Sequence, residues 1–287
     1  MLRAPDLRAM QPGNAAELLA ALAAPERPYI DAKGIAVVVA HPDDETVGCG
    51  GLILKLNDVS IVLITDGAPL DGLDARANGC ATPGEYAALR LCEFHEALNC
   101  ASVGPDNAIT FGLSDQTAAL HLAELSRRLL AMVAARGLHT IITHAYEGGH
   151  PDHDAAAFAV HAAAALRARD GKRLSIIEMP LYHWDGAHWR LQKFAMFPQQ
   201  NATPIHLHSE EQKRKHQMLA RYRTQQRVLS MFGAEQETLR PAPDYDFRAL
   251  PNEGRLLYEH YDWGMRGDRW LALVRDALRE LDLESTR

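Results

Sequence analysis

The sequence predicts an α/β fold: a Rossmann-like, doubly wound, mostly parallel sheet with a smaller, α-rich C-terminal layer. Two observations carry this. Short apolar runs without polar alternation recur at residues 35–40, 60–65, 140–143 and 174–179, the pattern of strands buried on both faces. Helix-forming stretches at 47–56, 83–98, 117–135 and 153–169 separate them. Strand and helix in alternation imply parallel strands joined by right-handed crossovers.

The elements follow in order. Residues 12–24 open with turn formers and continue as good helix formers. The helix expected at 47–56 begins with Gly48, Gly50 and Gly51 around Cys49. Those glycines fit close packing of a helix on the sheet. A dinucleotide-binding loop fits less well, because its first glycine should follow the strand directly. Residues 117–135 form a long alanine- and leucine-rich helix. Beyond residue 200 the pattern changes to a polar helix at 208–227, a proline- and charge-rich loop at 240–254 and an amphipathic closing helix at 270–281. The expected organisation is an N-terminal helical extension (1–34), a catalytic α/β core (35–200) and a C-terminal layer (201–287) packed on that core.

Composition narrows the function classes. Of 287 residues, 47% are hydrophobic and 23% charged, which excludes a disordered or fibrous chain. With 30 basic and 37 acidic residues the net charge is −7, so nucleic acid is not an expected partner. No apolar run approaches the roughly 18 residues of a membrane helix. Residues 1–6 lack the basic-then-apolar order of a secretion signal, and the expected location is the cytoplasm. The four cysteines lack close paired spacing and are read as reduced thiols.

Two polar clusters follow buried strands, where open parallel sheets gather their ligands. The first is His41-Pro42-Asp43-Asp44-Glu45. His41 and Asp44 can face one point across a turn held by Pro42. Imidazole and carboxylate suit Zn²⁺. Asp43 beside such an ion could take a proton from water. The alternative is that Asp43 and Asp44 cap a helix. The second cluster runs from His144 to His153, with Gly148 and Gly149 permitting a close or strained backbone path. His153 completes a three-ligand set with His41 and Asp44. His150, oriented by Asp152, could polarise a carbonyl or protonate a leaving amine.

His41-Pro42-Asp43-Asp44-Glu45 and His150-Pro151-Asp152-His153 resemble the two signature motifs of the PIG-L/LmbE-like zinc deacetylases, which act on N-acetylglucosamine groups. The resemblance spans about residues 35–180. It implies His41, Asp44 and His153 as metal ligands, Asp43 as general base, His150 as oxyanion stabiliser or general acid, and Asp152 as its orienting residue. Arg90-Leu91-Cys92-Glu93 is similar to the family's Arg-x-x-Glu, which implies substrate contact by Arg90; the alternative is a helix ion pair. Asp66 in Thr65-Asp66-Gly67 is implied as a pocket residue. Tyr146 and Glu147 occupy the stretch where relatives carry a mobile tyrosine and are substrate-binding candidates.

The reading is therefore a metal-dependent hydrolase removing acetyl from an N-acetylated amino sugar or its conjugate. Zn²⁺ is the expected cofactor, with Fe²⁺, Co²⁺ or Mn²⁺ as alternatives for a two-histidine, one-carboxylate set. The rivals are an amidase releasing a larger acyl or thiol conjugate, a nucleotide-binding oxidoreductase or transferase, and a sugar-binding module without catalysis. Tyr182, Trp184 and Trp189 follow a strand end and could floor a sugar pocket or pack in the core. Segment 258–270 could be a lid, a subunit contact or core for the last helix.

Overall fold

A computed structural model describes residues 9–195 and 201–284; the N-terminal residues read for a secretion signal lie outside them. The chain begins with α1 (Ala15–Ala23), β1 (Ile30–Asp31), β2 (Ile35–Val39), α2 (Asp44–Ile53), β3 (Leu56–Asn57) and β4 (Ser60–Pro69). It continues through α3 (Leu73–Ala77), α4 (Pro83–Cys100), β5 (Ala108–Asp115), α5 (Leu122–Ala135), β6 (Thr140–His144), α6 (Pro151–Arg169) and β7 (Ser175–Met179). The remainder comprises a hairpin, β8 (Tyr182–Trp184) and β9 (Trp189–Leu191), then β10 (Thr203–His206), α7 (Ser209–Leu219), α8 (Gln226–Leu229), β11 (Gln236–Pro241) and α9 (Gly267–Glu280).

A seven-stranded sheet has the order β10-β11-β7-β6-β2-β4-β5. The five strands β7, β6, β2, β4 and β5 run parallel, and β11 and β10 extend one edge antiparallel. The fold is Rossmann-like, as expected. The sequence reading did not anticipate β5, β10 or β11, so the C-terminal region adds strands as well as helices. β5 is an edge strand of mixed exposure, and β10 and β11 carry polar residues in short stretches. None makes the continuous apolar run by which β2, β4, β6 and β7 were legible.

Every residue of β2 is buried, and alternate side chains feed opposite layers. Val37 and Val39 join Ile61, Leu63, Phe94 and Tyr222 on one face. Ala36 and Val38 join Val62, Ile64, Phe158 and Trp270 on the other. Gly48 and Gly51 lie inside α2, where an added Cβ would fall 2.2 Å from Met179 Sδ and 2.4 Å from Leu207 Cδ1. These glycines allow helix–sheet approach and do not form a phosphate loop. All four cysteines are free.

Two boundaries differ from expectation in ways that matter. α2 begins at Asp44, three residues before the expected Val47, because the strand-to-helix turn needs only residues 40–43. α6 begins at Pro151, so His150 is its N-cap and His153 its third residue. From β2 the chain runs outward through β4 and β5, then returns to the other side of β2 at β6. That reversal between β2 and β6 is a topological switch point, and both polar clusters leave the carboxyl ends of those two strands.

Candidate metal centre and active site

His41 Nδ1 and His153 Nε2 lie 3.2 Å apart. Asp44 Oδ2 is 3.3 Å from each. The three atoms make a nearly equilateral triangle. A tetrahedral ion with bonds of about 2.0–2.1 Å holds its ligand atoms about 3.3–3.4 Å apart, so the triangle has the size of one face of such a polyhedron. The side chains are largely buried, and Asp44 Oδ2 is oriented by the His41 backbone N–H at 2.8 Å. The residues fit a divalent cation.

Outer partners fix the ring of His41. Its Nε2 faces Asp115 Oδ1 at 3.0 Å and Asp152 Oδ2 at 3.4 Å. Carboxylates there favour the proton on Nε2 and leave the Nδ1 lone pair toward Asp44 and His153. Neither Asp115 nor His144 was assigned a role from the sequence. Asp115 ends the edge strand β5, and only the strand-end rule could have flagged it. His144 ends β6, accepts from the Ala40 N–H at 3.0 Å and stacks on His153 with ring centroids 4.1 Å apart. Its packing behind that ring depends on tertiary structure.

Asp43 occupies the N-cap of α2 with φ 123° and makes no side-chain cap. For a residue other than glycine that backbone costs on the order of 1–3 kcal/mol. The turn is held by Thr46 and Val47 N–H groups donating to the Asp43 carbonyl at 2.9 Å, and by the Asp43 N–H donating to Glu45 Oε2 at 3.2 Å. Glu45 is itself fixed by the Tyr222 hydroxyl. The Asp43 carboxylate is thereby aimed away from the helix. Burial pushes it up to about 8, opposed by the nearby Arg90 guanidinium.

Several expected roles are corrected. Asp152 does not orient His150 through its carboxylate. That carboxylate accepts from the Gln116 and Ala118 N–H groups and faces His41. The Asp152 backbone N–H instead donates to His150 Nδ1 at 3.1 Å, because His150 is the N-cap and its ring turns back onto the first turn. Nδ1 is thus an acceptor, and neutral His150 carries its proton on Nε2. Burial and the His41 charge hold His150 well below the usual histidine range. Arg90 is buried and donates to the Pro42 carbonyl at 2.7 Å and to Asp43 Oδ2 at 3.3 Å, so it braces the first cluster and makes no ion pair along its own helix. Asp66 Oδ1 accepts from the Ala68 and Asp115 N–H groups. Glu147 is buried, with its carboxylate accepting from the Leu181 and Ala195 N–H groups.

Tyr146 lies in the core below the site. Its hydroxyl donates to the Ala249 carbonyl at 3.0 Å and accepts from Trp270 Nε1 at 2.7 Å. Tyr146→Phe would leave both buried partners unpaired and should cost about 1–3 kcal/mol in denaturant unfolding. KM for an acetylated sugar should not change; a raised KM would return the hydroxyl to substrate binding.

Gly148 adopts φ +71°, and a Cβ on Gly149 would fall 2.0 Å from the Tyr182 carbonyl oxygen. Backbone must move to admit it. Gly149→Ala should destabilise by about 1–3 kcal/mol or more and, by shifting His150, lower kcat. An unchanged melting temperature would contradict the close approach.

Asp154, buried below the second cluster, accepts from the Glu147 and Gly148 N–H groups. Burial pushes its carboxyl up to about 8 from 3.8. The folded chain then keeps a proton that the unfolded chain sheds. The associated stability is complete below about pH 4 and fades as pH rises to 8. Asp154→Asn should remove that loss, making the chelated protein more stable than its parent at pH 8. Equal urea midpoints for the two across pH 5–8 would contradict this.

Residues 36–164 match the family model described as PIG-L: GlcNAc-PI de-N-acetylase. The matched stretch covers somewhat less than half of the chain. A curated relative is the diacetylchitobiose deacetylase of Thermococcus kodakarensis, 30% identical over 139 residues, 46% of this chain and 49% of that one. The match therefore spans about half the length of that relative. The fold is shared with the A40926 pseudoaglycone deacetylase Dbv21 at 19% identity and TM-score 0.60, over 75% of this chain and 99% of that one. It is also shared with N,N'-diacetylchitobiose deacetylase from Pyrococcus horikoshii at 20% identity and TM-score 0.53, over 79% and 91%. Both polar clusters, 41–45 and 150–153, fall inside the matched residues. Among the described residues no helix is long and apolar enough to cross a membrane.

Proposed function

We propose that this chain is a zinc-dependent deacetylase that removes the acetyl group from an N-acetylated amino sugar or a conjugate of one. The observation that carries the reading is the His41–Asp44–His153 triangle with Asp43 and His150 beside it. The PIG-L match and the diacetylchitobiose deacetylase relative support the choice of an acetylated amino sugar.

His41, Asp44 and His153 would hold the ion. When bound there, zinc lowers the pKa of water toward about 7 and polarises the acetyl oxygen. Asp43 takes the proton from the attacking water. Its burial makes it a stronger base than an ordinary carboxylate, and Arg90 fixes its direction. His150 presents Nε2–H to the charge that develops on the acetyl oxygen, or to the departing amine. Asp115 and Asp152 hold His41 in register. Excess proton passes to the amine, the C–N bond breaks, and acetate and a free amino sugar result.

The test is acetate release from a panel of N-acetylated sugars, with and without a strong chelator. Release from at least one sugar, abolished by chelation, is expected. Release of only longer acyl fragments, or co-purified nucleotide with no acetate formed, would overturn the reading.

A further inference from the structure

Glu45 anchors the strained turn at Asp43. It is fully buried, and its carboxylate accepts from the Asp43 N–H, the Thr46 hydroxyl and the Tyr222 hydroxyl. The first two donors belong to the turn itself and move with it. Among the described residues only Tyr222, which reaches Glu45 Oε1 at 2.5 Å from 177 positions away in the chain, ties that carboxylate to another segment.

Tyr222 opens a short segment, residues 222–225, that reaches the same aspartate by a second route. The Thr224 N–H and hydroxyl donate to the two Glu93 carboxylate oxygens at 3.1 and 2.7 Å, and Gln225 Nε2 donates to the Tyr86 hydroxyl at 2.8 Å. Tyr86, Arg90 and Glu93 are buried residues of α4, spaced by four and three and so on one face of that helix. The middle one, Arg90, donates to the Pro42 carbonyl and to the Asp43 carboxylate. One segment therefore ties down both groups that aim Asp43: Glu45 through Tyr222, and the helix bearing Arg90 through Thr224 and Gln225. A non-glycine residue at φ 123° persists only where its surroundings over-determine it. The Tyr222 ring is itself locked, fully buried in the layer that holds Val37, Val39 and Leu63. This segment lies beyond the matched residues 36–164.

Resting on the deacetylase reading, we propose that Tyr222 is a positioning residue: its hydroxyl, acting through Glu45, holds the Asp43 carboxylate in line with the attacking water. Tyr222 works at one remove from the reaction and is not a catalytic residue. Without its hydroxyl, Glu45 keeps donors from its own turn only. A buried carboxylate oxygen short of a donor is costly, so Glu45 turns to find one and the strained turn relaxes. The Asp43 carboxylate then leaves its line. A displacement of about 1 Å can cost on the order of 10²-fold in rate.

The experiment measures bound zinc, and kcat and KM for acetate release from N,N'-diacetylchitobiose, in the native chain, Tyr222→Phe, Asp43→Asn and the double variant. Tyr222→Phe keeps the ring in the core. It should lower kcat about tenfold, with KM within about twofold and one zinc per chain retained. In the Asp43→Asn background the same change should lower kcat by less than about twofold, because no base remains to be misplaced. Glu45→Gln, which offers one acceptor oxygen in place of two, should repeat both results, and it carries the test if Tyr222→Phe does not fold. In parallel, amide hydrogen exchange is followed by NMR in the zinc-loaded native chain and in each single variant. Protection of the Asp43 amide should fall about tenfold in Tyr222→Phe and in Glu45→Gln while the α5 amides keep theirs. That result is expected even if no acetate is released, an outcome that would overturn the proposed function alone. An unchanged kcat, an equal loss with and without Asp43, loss of zinc, or an Asp43 amide protected as in the native chain would overturn the role of Tyr222.

Discussion

Asp43→Asn should lower kcat for acetate release by roughly 10²–10⁴, the usual contribution of a positioned general base, while zinc stays bound at one ion per chain. The substitution keeps shape. Asparagine tolerates positive φ about as well as aspartate, so the strained turn at φ 123° survives. Arg90 keeps its bond to the Pro42 carbonyl. What is lost is the ability to accept a proton. If Asp43→Asn sheds the ion while Asp44→Asn keeps it, the two carboxylates have the opposite roles.

His153→Ala should abolish both tight zinc binding and turnover. It deletes one corner of a triangle whose edges are 3.2–3.3 Å, leaving one imidazole and one carboxylate. The loss in affinity should exceed the roughly 10–100-fold typical of removing an outer partner. Asp115→Ala is the useful comparison. Asp115 touches His41 only through Nε2, so its removal should fall within that smaller range and leave partial activity. Equal effects of the two variants, measured by competition with a chelating dye, would mean that Asp115 is itself a ligand.

Much of this site was legible because its residues are contiguous with buried strands. Val37, Val38 and Val39 announce β2, and four ionisable residues in the next six positions exceed what capping needs. His150 and His153 are legible for the same reason after β6. The remainder depends on packing that no local pattern records. Asp115 sits at the end of an edge strand whose exposure is mixed. Which ring Asp152 faces is decided by His150 turning back as the N-cap of α6. Tyr146 neighbours the second cluster in sequence, yet its side chain enters the opposite layer and bonds to Trp270 more than a hundred residues later. Arg90 and Glu93 look like a helix pair, but each bonds to another segment: Arg90 to Pro42, and Glu93 to Thr224.

Zinc reconstitution tests the central claim most directly. The protein is stripped with a strong chelator, and acetate release from N,N'-diacetylchitobiose is followed as zinc is returned in measured amounts. A rise that breaks at one equivalent per chain, and is absent in His153→Ala, is the expected result. Full activity in the stripped protein, or a response that His153→Ala shares, would contradict a reaction built on His41, Asp44 and His153.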